Sequence, residues 1–262
     1  MAYTAINDPE QHFNIKLYNG NSQETNHVGI GFQPDFVWIK NRDAADSHCL
    51  FDSSRGVTKL ISSDVNTAET TDGDTLEAFD SDGFQIDIDD KVNTQMEDFV
   101  AWCWLANAGT RTTNSESGDN PAGGYQANTT AGFSIVDYTG TGAVGTMAHG
   151  LGAVPDCIII KNRDEADSWA VYHSSNTSAP ATDYLILDTN AATADDATYW
   201  NDTAPTSSVF TVTTAHNVNA DAEKYIAYCF KSIQGYSKFG SYTGNGAADG
   251  TFVYTGFKPA YV

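Results

Sequence analysis

The sequence predicts an all-β protein built from tandem antiparallel β-sandwich domains of jelly-roll, concanavalin-like type. Short runs of β-branched and aromatic residues, bounded by Gly, Asn, Asp or Pro, recur along all 262 residues. No stretch holds a 3.6-residue apolar period long enough for a substantial helix. The chain also repeats itself. Gln33-Pro34-Asp35-Phe36-Val37-Trp38-Ile39-Lys40-Asn41-Arg42-Asp43 returns as Val154-Pro155-Asp156-Cys157-Ile158-Ile159-Ile160-Lys161-Asn162-Arg163-Asp164, a shift of 121 residues, and starts again as Lys258-Pro259-Ala260-Tyr261-Val262.

A repeat of this length is a domain, because solenoid and propeller units run to roughly 20–50 residues. Tyr18-Asn19-Gly20, Tyr138-Thr139-Gly140 and Tyr242-Thr243-Gly244 open three copies, and Phe99–Trp104 and Tyr225–Phe230 close the first two. The expected division is a first sandwich over 1–108, a polar linker or long loop over 109–131, a second sandwich over 132–234, and the start of a truncated third repeat over 235–262. The short junction Ser232-Ile233-Gln234-Gly235 predicts that the second and third copies stack closely, as in a rod.

In chain order, the expected strands are Phe36–Ile39, Phe84–Ile88, Phe99–Trp104, Phe133–Val136, Cys157–Ile160, Tyr184–Leu187, Val209–Val212 and Tyr225–Tyr228. Pro34, Pro155 and Pro259 each precede a strand, where a missing amide donor costs least. Turn chemistry between short strands at spacings of roughly 8–20 residues favours a sandwich over a parallel α/β sheet. Gly20, Gly140 and Gly244 read as a repeated hairpin turn, since no Gly-Lys-Ser/Thr follows to make a phosphate loop.

Composition narrows the partners. Thirty-four acidic residues against 13 basic give a formal charge of −21, a field that repels nucleic-acid phosphates and anionic membranes. No run approaches the roughly 18 apolar residues of a membrane span, and the N-terminus lacks the basic and apolar regions of a secretion signal. Cys103 and Cys229 are equivalent positions within closing strands, while Cys49 and Cys157 do not correspond. The four cysteines therefore read as buried free thiols, not a disulfide framework.

No catalytic residue is expected. The histidines show no metal spacing, no Gly-Xaa-Ser-Xaa-Gly elbow is present, and chance carboxylate pairs are too common to select a glycosidase pair. Asp80 and Asp82 resemble the front of a calcium loop, although Asp80-Ser81-Asp82-Gly83 fits a tight turn equally and the second repeat has no acids there. The repeated quartet Lys40, Asn41, Arg42, Asp43 and Lys161, Asn162, Arg163, Asp164 could bind a sugar or carboxylate by bidentate hydrogen bonds. The preferred reading is scaffold: Asn and Asp close a turn and Arg pairs with an acid of the same sheet. Trp169, Tyr199, Trp200 and Asn201 are the candidate sugar-stacking residues, with Trp200 alternatively in the core.

Several stretches carry a family resemblance: Met1-Ala2-Tyr3-Thr4, Gly31 through Arg42, Phe51-Asp52-Ser53-Ser54-Arg55-Gly56-Val57, Tyr199-Trp200-Asn201 with Ala204 through Phe210, and Gly235 through Gly246. Together they resemble an uncharacterised family of repeat proteins from marine tailed phages, regarded as tail-fibre or other virion structural proteins with lectin-like sandwiches. The resemblance implies a non-enzymatic virion appendage, assembled in the host cytoplasm and exposed outside the cell. It also implies a homo-oligomer, a trimer favoured, that contacts other virion proteins and host surface glycan or protein. A capsid-decoration or tail-shaft protein without receptor binding is the alternative, and a polysaccharide depolymerase the third reading. The family brings no site residues to carry over, and its members continue into a full third domain.

Overall fold

The apolar runs pair as antiparallel strands in the computed structural model, which describes residues 4–262; Met1, Ala2 and Tyr3, part of the opening that carries the resemblance, lie outside the described residues. The first repeat comprises β1 (Phe13–Asn19), β2 (Thr25–Val28), β3 (Phe36–Asn41), β4 (Cys49–Asp52), β5 (Lys59–Leu60), β6 (Thr70–Thr71), β7 (Leu76–Asp80), β8 (Gly83–Ile86), the single turn α1 (Asp90–Asn93) and β9 (Asp98–Trp104). Its main sheet runs β1-β9-β3-β4, its smaller sheet β2-β8-β7, and β5-β6 forms a hairpin. Val37, Ile39, Phe51, Phe84, Ile86, Phe99 and Cys103 fill the space between the sheets.

The segment expected to be a linker is strand. β10 (Thr112–Asn114) pairs with β11 (Ala122–Asn128), which in turn pairs along its whole length with β12 (Phe133–Thr139). The polar residues of this stretch hid the strand, because Ala122, Gly123 and Gly124 give it no apolar alternation. A Cβ at Gly123 would lie 2.0 Å from the Asp137 carbonyl oxygen, so glycine is what lets the two strands approach.

The second repeat continues with β13 (Gly145–Ala148), β14 (Cys157–Asn162), β15 (Ala170–His173), β16 (Asp183–Ile186), β17 (Ala194–Asp195), α2 (Ala197–Trp200), β18 (Val209–Val212), α3 (His216–Asn219) and β19 (Lys224–Phe230). The large sheet has the order β10-β11-β12-β19-β14-β15-β16-β17, and β13 pairs with β18. Within it, β12-β19-β14-β15 has the same order as β1-β9-β3-β4, and the registers match: Phe13 and Phe36 both oppose Trp104 as Phe133 and Cys157 both oppose Phe230.

Gly20 and Gly140 serve a close approach instead of a tight hairpin. A Cβ would lie 2.0 Å from the Thr94 oxygen at Gly20 and 2.1 Å from the Ala220 oxygen at Gly140, where the chain leaves α1 and α3. Beside them the Tyr18 hydroxyl donates to the Val92 oxygen at 2.7 Å and the Tyr138 hydroxyl to the Val218 oxygen at 2.6 Å.

The repeats are not beads on a string. Alternation puts Val37 and Ile39 of β3 into the first sandwich and Phe36 and Trp38 on the opposite face. That face meets the large sheet, and Phe36, Leu50, Ile61 and Ala106 share one core with Phe133, Ile135, Trp169, Ile226 and Tyr228. Phe36 stacks on Tyr228 with ring centroids 4.4 Å apart. The molecule is therefore four β layers deep, with the two main sheets in the middle. Each fully buried aromatic in the shared core contributes roughly 1.5–3 kcal/mol.

Residues beyond Phe230 form no strand of their own, only an isolated bridge between Ile233 and Ser237. Tyr242, which aligns with Tyr18 and Tyr138, is exposed, as are Phe252 and Tyr254. The segment lies against both repeats: Phe239 packs on Phe230 and His173 of the second at 5.5 and 6.4 Å, and the chain then folds back over the first. Tyr261 packs against Phe13, Trp102 and Trp104 at 5.8, 5.6 and 6.1 Å. All four cysteines are free and buried.

Candidate functional site

The Lys-Asn-Arg-Asp quartets form two copies of one corner at the ends of β3 and β14. Asn41 Oδ1 accepts the N–H groups of Asp43 and Ala44, at 3.0 and 3.2 Å, and Asn162 Oδ1 those of Asp164 and Glu165, at 3.0 and 3.3 Å. Asn41 Nδ2 donates to Asp46 and Glu97, Asn162 Nδ2 to Asp167 and Glu223. Asp43 and Asp164 accept the N–H of Asp98 and Lys224, the first residue of the closing strand in each repeat. Lys40 Nζ and Lys161 Nζ each donate to two backbone carbonyls at 2.6 and 3.0 Å. Lys161 is fully buried, and burial pulls its ammonium down to about 8 against weaker support from Asp167 and Asp188. Asn and Asp thus close the turn as expected.

The two arginines differ. Arg42 pairs with Asp98 of its own sheet at 3.8 Å, as expected. Arg163 instead reaches the other repeat, with Nε and one terminal nitrogen each 2.9 Å from a different oxygen of Glu69. The same carboxylate touches Arg55 at 3.2 Å, and Arg55 Nε pairs with Asp52 at 2.5 Å. Tyr228 completes the chain by donating its hydroxyl to Asp52 at 2.8 Å. Burial opposes the charge on Arg55, but Asp52, Tyr228 and Glu69 outweigh it and hold its pKa above the ordinary value. Burial likewise raises Glu69, and the arginine bonds more than reverse this, leaving it below the usual carboxylate range.

A second buried carboxylate was missed by the sequence reading. Asp35 accepts the N–H groups of Ala106, Asn107, Ala108 and Gly109 at 2.7, 2.8, 2.8 and 2.6 Å, plus the Ser53 hydroxyl at 2.8 Å. Its counterpart Asp156 accepts Ser232 N–H at 2.7 Å, Lys231 Nζ at 3.2 Å and the Ser174 hydroxyl at 3.3 Å. The signal was present, since Pro34-Asp35 and Pro155-Asp156 are part of the repeated string.

Three of the four residues expected to stack on sugars are buried. Trp169 is 0% exposed and donates Nε1 to the Ser62 oxygen of the first repeat at 2.9 Å. Tyr199 stacks on Tyr184 at 3.8 Å, and Trp200 donates to the Asp183 oxygen at 3.1 Å. α2 turns these rings inward, so only Asn201, in the left-handed conformation that ends the helix, is exposed. Asp80 ends β7, and exposed Asp82 closes the β2–β3 loop by accepting Gly29 and Gly31 N–H at 3.2 and 2.7 Å, the turn role. Among the described residues, no group of three or more His, Cys, Asp or Glu is placed to hold a metal ion.

The half-buried aromatic surface lies elsewhere, on the part of the β1-β9-β3-β4 face that the second repeat leaves uncovered. Trp38 and Trp102 meet edge to face at 6.0 Å. Trp38 Nε1 donates to His48 Nδ1 at 2.8 Å, which leaves His48 neutral with its proton on Nε2; burial lowers this ring below its ordinary pKa, Asp64 opposes and Lys40 assists. Ile15 lies beside Trp102 in register. This shelf of flat rings with adjacent hydrogen-bonding groups suits a sugar ring or another sheet face. The sequence signal was its asymmetry: Trp38 stands where the second repeat has Ile159.

A family model described as Domain of unknown function (DUF7483) matches residues 8–262. No curated protein and no solved structure matches the chain.

Proposed function

The chain belongs to the DUF7483 family, and on that premise we propose that it is a non-enzymatic structural protein of a phage virion appendage, of tail-fibre type. The observation that supports this reading best is the shared core: two repeats are locked by stacked rings and the chain Tyr228–Asp52–Arg55–Glu69–Arg163. Rigid, laterally fused β-domains suit a part that transmits force and presents surface. The buried ionisable groups serve that locking, and the acidic exterior favours solubility over nucleic-acid binding.

The Trp38–Trp102 shelf is the surface proposed to contact host glycan or protein. Many copies on one virion would hold a cell through effective concentration even where each site is weak. The test is binding of labelled protein to candidate host cells, with competition by their surface polysaccharide. Saturable, competed binding that Trp102→Ala weakens supports the attachment role. Absence of binding by the folded protein removes it.

One observation favours the alternative of a decoration or shaft protein. Tyr261 already packs on Trp102 and Trp104, so the same face serves as a protein-packing surface. On this reading the protein co-purifies with virion proteins and ignores cells.

A further inference from the structure

The two main sheets share four strands in one order, and the large sheet adds β16-β17 at one edge and β10-β11 at the other, the edge that corresponds to β1. Leu105 N–H donates to the His12 oxygen and Gly20 N–H to the Glu97 oxygen, so the even-numbered residues of β1 bond β9. In an antiparallel ladder the alternate residues, Phe13, Ile15, Leu17 and Asn19, then direct their N–H and C=O groups outward. Their counterparts Phe133, Ile135, Asp137 and Thr139 oppose Asn128, Gln126, Gly124 and Ala122 of β11. β1 is instead the terminal strand of its sheet, with no partner on that side among the described residues.

Long open edges are templates for pairing, and proteins usually blunt them. The large sheet follows this rule, ending in the three-residue β10 and the two-residue β17. β1 has seven residues, and its one charge, Lys16, is drawn onto the Val28 oxygen of the same molecule. Of the 34 acidic residues, none lies in Phe13–Asn19. Leu17 is 62% exposed and Val28, whose carbonyl accepts Lys16 Nζ at 2.8 Å, is 58% exposed. In the second repeat Leu17 is replaced by Asp137, which Arg111 holds through bonds of 2.7 and 2.6 Å. The covered edge is charged at this position and the open edge apolar, the reverse of what solvent exposure alone selects.

We propose that β1 pairs antiparallel with β1 of a second copy of this chain, joining two four-stranded sheets into one of the order β4-β3-β9-β1-β1-β9-β3-β4. This matches the strand number that the second repeat reaches within one chain. The twofold axis passes through Ile15, so that Ile15 opposes Ile15, Phe13 opposes Leu17 and Asn14 opposes Lys16. The register that pairs Ile15 with Leu17 instead sets Lys16 against Lys16, and like charges directly opposed are destabilising. Asn14 Oδ1, which caps the Ile15 N–H at 2.8 Å, is displaced by the partner's carbonyl. A twofold pairing closes as a dimer, not the trimer favoured above. It rests on the assembly part of the proposed function and not on attachment: a dimer that ignores cells would remove attachment and leave the pairing intact.

The test is the mass of the intact chain by sedimentation velocity across a concentration series, with Leu17→Lys and, as a surface-matched control, Leu187→Lys. The expected result is a concentration-dependent dimer whose Kd rises at least tenfold in L17K and not in L187K. An Ile15→Cys variant gives a second readout. Its two sulfurs meet on the axis, where Cα atoms about 5.5 Å apart suit a disulfide, and the four native thiols are buried and do not compete. Oxidation is expected to trap a covalent dimer. A monomer at all concentrations, a trimer, or a dimer that neither L17K weakens nor I15C traps overturns the proposal.

Discussion

Glu69 and Arg163 join the two repeats through paired bonds of 2.9 Å each, reinforced by Glu69 N–H donating to the Arg163 carbonyl at 2.8 Å. The same carboxylate is a counter-ion of Arg55, whose side chain is 0% exposed. Glu69→Gln leaves two arginines short of negative charge at the contact between the repeats, and removing one partner of a buried pair costs about 3–5 kcal/mol. The variant should unfold at correspondingly lower urea concentration with one transition. An unchanged midpoint would show that Asp52 alone satisfies Arg55. Because Glu69 titrates below its ordinary value when folded, its contribution is present above the unfolded pKa and is lost as pH falls through the folded one.

His27 should dominate a separate, milder acid effect. It lies between Tyr18 and Phe84, at 4.1 and 5.2 Å, with Nε2 buried and unbonded. Burial, aided by Lys16, pulls its pKa from 6.5 down to about 4. The unfolded chain therefore binds a proton between those values and the folded chain does not. Stability is full above pH 6.5 and falls as pH drops toward 4, by about 3 kcal/mol from this group. Met147 occupies the equivalent place in the second repeat, opposite Phe210 as His27 is opposite Phe84. His27→Met should flatten the stability profile between pH 6.5 and 4 in denaturant titrations. A profile as steep as that of the native chain would reject the assignment.

The residues show where the sequence was readable. Alternation and turn chemistry reveal β3, β8, β12, β14 and β19 because each buries at least one apolar face. β11 escaped because its glycines and polar side chains serve backbone approach, not core filling. Trp169 and Tyr199 read as binding residues, and Trp200 as either binding or core, because an aromatic beside polar residues looks exposed in one dimension. Their burial depends on α2 and on the first repeat, contacts more than 100 residues apart for Trp169. The shared core was hidden for the same reason: β3 is apolar on both faces, which a lone sandwich strand need not be, but nothing in the order of residues names the partner of the second face.

Asp35 and Asp156 occupy the same place in the repeat yet should differ in importance. Asp35 receives four N–H donors and a hydroxyl, so Asp35→Asn turns an amide donor toward other donors. With bonds to a charged acceptor contributing about 1.5–3 kcal/mol each, D35N should destabilise by on the order of 3 kcal/mol and speed hydrogen exchange at residues 106–109. Asp156→Asn, where the carboxylate meets one N–H, the Ser174 hydroxyl and a partly exposed lysine, should cost less. Equal losses would mean that the cradle of amides adds nothing beyond the ion pair.

The thiols report whether the repeats unfold as one. Burial raises all four, Cys49 and Cys157 to about 12, and Cys103 and Cys229 likewise upward. The thiolate is the reactive form, so the native protein should resist a thiol reagent at pH 8 and react only through opening. Cys103 lies in the core of the first repeat and Cys229 in that of the second. If the core around Phe36 and Tyr228 makes the two repeats one cooperative unit, both should be labelled at one rate, and that rate should track global stability in urea. Labelling of Cys103 well ahead of Cys229 would mean that the first repeat opens alone, and that the contact through Glu69 and Arg163 joins two independently stable bodies.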